Sequence, residues 1–330
     1  MAIDVIDGTR GETGLPAGPE ALSRCDLLLD PRHTGVNNLS EFLFLMQLGA
    51  IQWQQIARFA GVRLRDFRSD FGNPVYASFY YIRETFPVER PLSSYALDDR
   101  LTILSKVRLC GSTVIDGRHL LCGEETPEEQ CRSADGEGLE PCDWLPSVRM
   151  SNVFVQKQSG PEHLKVVFPA NVDLDRFPRV ESRPETYELA QRARVDRRFP
   201  RPAAAGFSPF GPAAFSFRYE INPDCDINGV GLVYFANYVA FLDMAERDLL
   251  RRAGTPEERI DGRSLVEREI AYFGNARSTD VLHIDVEAHR LEGHGAMPVG
   301  TAAVHFDYRV RRESDGRLIC VSRATKILPE

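Results

Sequence analysis

Between Pro223 and Gly231 the sequence reads PDCDINGVG, with carboxylates at Asp224 and Asp226, an amide at Asn228 and glycines at 229 and 231, directly ahead of an apolar stretch. Asp226 has the chemistry of a general base, or of a group that orients a donor; the plainer use of an Asp before a helix is an Asx turn or a cap. Asn228 is neutral and suits either an anionic or an uncharged ligand. Gly229 and Gly231 either permit positive φ and close backbone approach, or leave N–H groups exposed ahead of a helix, where a partial anion is held. A matching turn, DPRHTGVNN, precedes a second apolar stretch near the start of the chain. It offers the N–H groups of Gly35 and Val36, and His33, which can meet a carboxylate, act as an acid, or simply sit solvated.

These turns need elements to hold them. After Gly231, apolar residues recur at Phe235, Tyr238, Leu242, Ala245 and Leu249, steps of three and four that predict a helix apolar on most faces. Such a helix must be wrapped, and the strand-rich remainder predicts a sheet as the wrapping. Leu43, Met46, Ala50, Trp53 and Ala57 repeat the pattern 192 residues earlier, with Ser40 or Asn38 as N-cap, and both copies end in Ala-Gly. The chain reads as two versions of one unit. Runs at 75–83, 101–110, 113–121, 151–158 and 163–168 predict strands in the first, with Asp116-Gly117 as a hairpin signal. Runs at 215–221, 267–273, 281–291, 301–311 and 318–327 do so in the second, with Asp315-Gly316 turning the last two. Few helices and many strands predict an α+β fold with antiparallel sheets. The expected layout is an N-terminal arm at 1–24, a first unit at 25–177 with an acidic loop insertion at 123–146, a Pro/Arg-rich linker at 178–213 with a short helix near 187–194, and a second unit at 214–330.

Composition narrows the function. A net charge of −8 gives no electrostatic case for nucleic acid or an anionic membrane as main partner, and no apolar run reaches spanning length. The polar start MAIDVIDGTRGETG is unlike a secretory leader, and seven irregularly spaced cysteines without a C-x-x-C pair read as reduced thiols, so a cytoplasmic protein is expected. No H-E-x-x-H, paired His or cysteine cluster predicts a metal, no G-x-S-x-G elbow predicts serine acyl transfer, and Gly229-x-Gly231 lacks the setting of a dinucleotide site.

The stretch DCDINGVGLVYFANYVAFLD resembles the hotdog-fold thioesterases of the 4-hydroxybenzoyl-CoA type, in which a D-x-D-x-x-G turn precedes the helix. Carried over, the catalytic carboxylate falls on Asp226, although this chain has one residue more between the turn and Tyr234. Two such units imply a double hotdog, each a long buried helix wrapped by an antiparallel sheet. Over most of the chain, NNLSEFLFLMQLGAIQW followed by PVYASF, and NGVGLVYFA in the second half, resemble the bifunctional acyltransferase/decarboxylase of leinamycin-type polyketide biosynthesis. That resemblance implies decarboxylation of methylmalonyl-CoA and delivery of the propionyl group to an acyl carrier protein. It implies no cofactor beyond the CoA and phosphopantetheine of the substrates, and a catalytic tyrosine at Tyr76, with Tyr80 and Tyr81 as competitors.

Decarboxylation of a malonyl-type thioester leaves an enolate, which needs fixed N–H donors and then a proton. A tyrosine hydroxyl with an ordinary pKa of roughly 10 serves more readily as proton donor or oxyanion donor than as nucleophile. Without the resemblance, Tyr76 reads as a packed strand residue and Asn152 as an edge polar residue; with it, Asn152 becomes a donor to the thioester or carboxylate. Asp226 would repel a malonyl carboxylate and fits hydrolysis better. Two rival expectations therefore stand: a thioesterase using Asp226, and a non-catalytic protein that binds acyl carriers. Convergence of Tyr76, His33 and either turn on one cleft separates catalysis from the latter. Arg192, Arg194, Arg197, Arg198 and Arg201 form a candidate patch for an anionic carrier or a solvated linker. The chain is expected to be a monomer or homodimer.

Overall fold

The computed structural model describes residues 22–111, 113–124, 126, 144–160, 163–201, 206–292 and 300–330. Most of the expected N-terminal arm and acidic loop therefore lies outside the described residues. The first half holds β1 (Ser23–Leu28), a small hairpin of β2 (Thr34–Gly35) and β3 (Asn38–Leu39), helix α1 (Glu41–Ala60), and strands β4 (Tyr76–Thr85), β5 (Arg100–Cys110), β6 (Val114–Gly123), β7 (Ser147–Lys157), β8 (Leu164–Val166) and β9 (Arg179–Val180). Helix α2 (Glu185–Asp196) and β10 (Gly206–Pro209) lie in the connection. The second half holds β11 (Phe215–Glu220), the short helix α3 (Pro223–Asp226), helix α4 (Asn237–Arg252), the short helix α5 (Glu257–Asp261) and strands β12 (Ser264–Tyr272), β13 (Val281–Glu292), β14 (Thr301–Arg312) and β15 (Leu318–Pro329).

One 13-stranded sheet runs in the order β1-β5-β6-β7-β4-β12-β15-β14-β13-β10, with β11 on β13, β8 on β7 and β9 on β5. All its pairings are antiparallel except β5 with β9. Each half wraps one long helix, and the halves join where β4 meets β12, with Ile82 opposite Ile270. This is the double-hotdog α+β fold. Phe44, Leu45 and Leu48 of α1 and Tyr238, Leu242 and Leu249 of α4 share one apolar core. Each fully buried side chain of this size contributes about 1.5–3 kcal/mol by leaving water. No helix among the described residues is long and apolar enough to cross a membrane.

Three local expectations change. First, the stripe Leu43, Met46, Ala50, Trp53 and Ala57 is half-buried or exposed, whereas Leu45, Leu48, Gln52, Gln55 and Phe59 are buried. Moving the equivalence by two residues matches these to the buried Phe235, Tyr238, Leu242, Ala245 and Leu249. Two buried glutamines hide the true face from any hydrophobic count. Second, Asp116-Gly117 sits inside β6, opposite Arg108 and Val107, and the β5–β6 turn lies at Gly111. Gly117 leaves room for the Gln52 side chain, whose Oε1 stands 2.1 Å from where a Cβ would be. Third, α4 begins at Asn237 rather than at the glycine turn, so Gly229–Gly231 form a separate loop ahead of the helix.

The Pro-rich connection packs rather than merely spans. Ala190 and Ala193 of α2 and Phe199 lie in a cluster with Tyr80, Tyr81, Ala271 and Val321, covering the outer side of the β4–β12 seam.

Candidate active site

The seam does not stay closed. β12 pairs with β4 only over Glu267–Ala271 against Tyr81–Thr85. Past that point Tyr80 and Tyr272, next along each strand, both line a cavity of about 820 Å³. The register shift between Phe79 and Tyr81 inserts Tyr80 as a bulge, the device that turns a strand away from its neighbour. The gap is filled from the second half by the loop 228–235 and from the first by Trp53 of α1.

The inner wall is aromatic. Phe79 and Phe235 stand 4.2 Å apart between centroids, and Trp53 packs on them at 5.3 and 5.7 Å. Gly49 makes this possible, because a Cβ there would meet the Phe235 ring at 2.6 Å. Trp53 Nε1 donates to the Ala77 carbonyl at 2.9 Å, fixing the indole against β4. Burial pushes the Tyr234 hydroxyl up to about 12 and that of Tyr80 likewise to about 12, so both stay protonated donors at neutral pH.

The loop in the gap is ordered by its own amides. Asn228 Oδ1 accepts from the N–H groups of Val230 and Leu232, both at 3.1 Å, and Gly231 N donates to the Asn228 carbonyl at 2.8 Å. This arrangement assigns Oδ1 to the loop and turns Asn228 Nδ2 outward. Among the described residues neither Asn228 Nδ2 nor the Gly229 N–H has a hydrogen-bond partner, and both residues line the cavity. Gly231 takes φ 75°, a conformation that strains any side chain. Asn275 anchors the loop's far end, its Oδ1 accepting from Val233 N at 2.9 Å.

Tyr76, the first residue of β4, faces the same cavity and is half-buried. The Lys157 ammonium stands 5.5 Å from its ring centroid and donates to the Val230 carbonyl at 2.5 Å. Lys157 thus ties the glycine loop of the second half to the tyrosine of the first. Exposed Arg194 of α2 and exposed Arg317 also line the cavity, as does Arg65 beside Leu64.

The residues singled out from the sequence divide cleanly. Tyr76, Tyr80, Asn228 and Gly229 converge on this cavity, and Gly231 shapes its loop. Asp226 is buried and outside the lining; its oxygens accept from Tyr219 OH at 2.8 Å, Asn222 N at 2.8 Å and Asn237 Nδ2 at 2.9 Å. It braces the loop, and burial, with the Asp226 carboxylate adding to it, pushes the Tyr219 hydroxyl well up. Tyr81 points away and donates to Glu269 at 2.5 Å. Asn152 faces α1, its Oδ1 accepting from Gln52 at 2.5 Å within a buried chain that continues through Gln52 Oε1 and His119 to Ser105. His33, Gly35 and Val36 do not join Tyr76. His33 Nδ1 lies 3.0 Å from Asp30 Oδ1. Gly35 and Val36 line a separate pocket of about 250 Å³ beside Asp243, Arg263 and Lys326. Trp53, Lys157 and Asn275 escaped the sequence reading. A lysine near a strand end looks like any solvated lysine, and Trp53 was counted as core.

No family model matches the sequence, and no curated protein matches it. Among solved structures the chain is similar to an acyl-ACP thioesterase from Bacteroides thetaiotaomicron (12% identity, TM-score 0.54, covering 92% of this chain and 97% of that one). It is also similar to a chain from Lactobacillus plantarum described as an oleoyl thioesterase (11%, 0.59, 94% and 98%) and to a 12:0-ACP thioesterase from Umbellularia californica (11%, 0.51, 93% and 97%). At these identities the likeness is one of fold, and over nearly its whole length the chain shares the two-unit hotdog architecture of these proteins.

Proposed function

We propose that the chain is an enzyme acting on acyl thioesters, which decarboxylates a malonyl-type thioester such as methylmalonyl-CoA and transfers the resulting propionyl group to an acyl carrier protein. The observation that carries this reading is the meeting of Tyr76 with the unspent donors of the Asn228–Gly229 loop in one aromatic-walled cavity. The thioester oxygen takes hydrogen bonds from the Gly229 N–H and Asn228 Nδ2. The bond between the α-carbon and the carboxylate breaks, carbon dioxide leaves, and the electron pair passes into the thioester as an enolate held by those donors. Tyr76 gives its hydroxyl proton to the α-carbon, and the Lys157 ammonium beside the ring stabilises the phenolate left behind. The carrier's pantetheine thiol then returns a proton to the Tyr76 phenolate and, as thiolate, attacks the propionyl carbonyl; the adduct collapses with loss of CoA as its thiolate. None of these steps calls for a cofactor, because the thioester accepts the electrons itself. The reading extends to one chain or two and involves neither nucleic acid nor membrane.

A second reading is hydrolysis of an acyl-CoA or acyl-carrier thioester. What favours it is the aromatic lining, which suits an acyl group more apolar than methylmalonyl. Mass spectrometry after incubation with methylmalonyl-CoA, with and without a phosphopantetheinylated carrier, tests both. Propionyl-CoA or propionyl-carrier with carbon dioxide is the expected product. Free methylmalonate without carbon dioxide would replace the first reading by the second, and no consumption of any thioester would leave a binding protein.

A further inference from the structure

We infer that the outer mouth of the cavity, between α2 and the β14–β15 turn, binds the phosphate of the pantetheine arm that carries the acyl group, through Arg194 and Arg317. The inference rests on the reading of the cavity as a thioester site and adds where the carrier enters.

The mouth is assembled from separate elements. Tyr187, Gln191 and Arg194 line the cavity from α2, Arg317 from the turn before β15, and Thr113 from the turn before β6. Tyr187, Leu189 and Leu318 pack against the same cluster under α2, so the two arginines are carried on surfaces that touch. Both are exposed, and among the described residues neither guanidinium has a carboxylate within ion-pair distance. They differ in this from the arginines of β14 and α4, such as Arg309, Arg311 and Arg251, which are paired with acids, and resemble their neighbours Arg192, Arg197 and Arg198, which have no ion pair among the described residues either. On a chain of net charge −8, two unneutralised guanidinium groups at one opening form a local positive field. Guanidinium is the side chain best matched to phosphate, giving paired charge-assisted hydrogen bonds. The Gln191 amide and Thr113 hydroxyl add uncharged donors at the same place. Tyr80, Phe273 and the loop residues Asn228 and Gly229 line the same cavity, so an arm held by its phosphate at the arginines has the loop donors within one continuous space.

The test compares thioesters that carry and lack the phosphate: the same acyl group on CoA, on a phosphopantetheinylated carrier, and on dephospho-pantetheine. The readout is the ratio of kcat/KM for the phosphate-bearing to the phosphate-free ester, in the unaltered chain and in Arg194→Ala/Arg317→Ala. The ratio is expected to fall about tenfold in the double variant, more steeply at low salt, with both CoA and carrier affected if the phosphate itself is read. Loss with the carrier alone would instead mark a protein docking face and overturn the phosphate site, as would an unchanged ratio. Calorimetric binding of CoA against pantetheine gives an independent readout that needs no turnover. If the unaltered chain consumes no thioester yet prefers CoA over pantetheine and loses that preference in the variant, the phosphate site stands and the catalytic reading fails. If it turns thioesters over with an unchanged ratio, the reverse holds.

Discussion

The two pockets at the β4–β12 seam are built from matching parts and have opposite interiors. Each combines the start of one unit's central strand, Tyr76 or Ser264, with the loop ahead of the other unit's helix, 228–235 or 35–41. The cavity at Tyr76 is about 820 Å³, walled by aromatic rings, with loop donors left unspent. The pocket at Ser264 is about 250 Å³ and its charged groups are spent on one another. Lys326 Nζ lies 2.8 Å from Asp243 and 3.0 Å from Glu246, Arg268 lies 2.9 Å from Asp243 and also pairs with Glu41, Arg263 pairs with Glu246, and Tyr308 donates to Glu246 at 2.6 Å. A ligand entering there would have to break a buried ionic network whose members cannot be left unpaired without a cost of several kcal/mol. The two halves thus hold two pockets of one design, one with an open aromatic interior and the other closed by ion pairs that link the halves.

The sharpest way to break this comparison is Tyr76→Phe. If the cavity at Tyr76 alone is active, removing the hydroxyl lowers turnover by roughly 10²–10⁴-fold, the usual weight of a positioned acid. Carbon dioxide release is the measurement, with circular dichroism to confirm folding. Retention of about half the activity would mean that the pocket at Ser264 also works. Arg268→Met addresses the other side. It leaves Glu41 and Asp243 without this partner in the interior, so unfolding in urea should show a loss of about 3–5 kcal/mol. A loss below about 1 kcal/mol would show that the network contributes little to holding the halves together.

Two buried groups that line neither pocket, one in each setting behind them, answer pH in opposite senses. His119, in the first unit's buried chain, is lowered from 6.5 to about 3 by burial alone. The unfolded chain therefore binds its proton first. This contribution is fully present above pH 6.5 and is lost as pH falls toward about 3, with a slope of up to roughly 1.4 kcal/mol per unit. Glu84, at the seam, is raised well above its ordinary 4.5 by burial and by the Glu41 carboxylate. Its contribution is present at low pH and is lost as pH rises above 4.5, because the unfolded chain gives up the proton first. His119→Gln should therefore change the stability difference from the unaltered chain progressively between pH 6.5 and 4, in favour of the variant as pH drops. A difference independent of pH would show that the imidazole is not held neutral.

How much of this was open to sequence reasoning depended on distance along the chain. The alternating runs and the two long helices were legible because their signals are local, and the hairpin at Asp315-Gly316 formed as expected. The Asp116-Gly117 hairpin was misread because Gly117 serves a side chain on α1, not a turn. Asn228 and Gly229 were visible as a loop ahead of a helix, and Tyr76 through resemblance. Their meeting with Lys157, Trp53 and Asn275 was not visible, since the cavity exists only where the seam between the halves parts. No periodicity within either half reports that.

The smallest expected effect bears on the rival chemistry. Asp226 carries the feature a hydrolytic reading prizes, a carboxylate in a D-x-D turn, yet both its oxygens are occupied by Tyr219, Asn222 and Asn237 and it stands outside the cavity lining. Asp226→Asn keeps the shape and replaces one acceptor by a donor that faces either the Asn222 N–H and Tyr219 hydroxyl or the Asn237 amide. Stability should fall by about 1–3 kcal/mol from the mismatched bonds, while turnover of a malonyl-type thioester should change by less than about tenfold. Tyr219 gives the internal control, because Tyr219→Phe removes one of the same bonds without touching the carboxylate. Parallel, modest losses in the two variants are what a brace produces. A loss of roughly 10²-fold or more confined to Asp226→Asn, with Tyr219→Phe intact, would make the carboxylate a base and move the working chemistry from the tyrosine of the first half to the loop of the second.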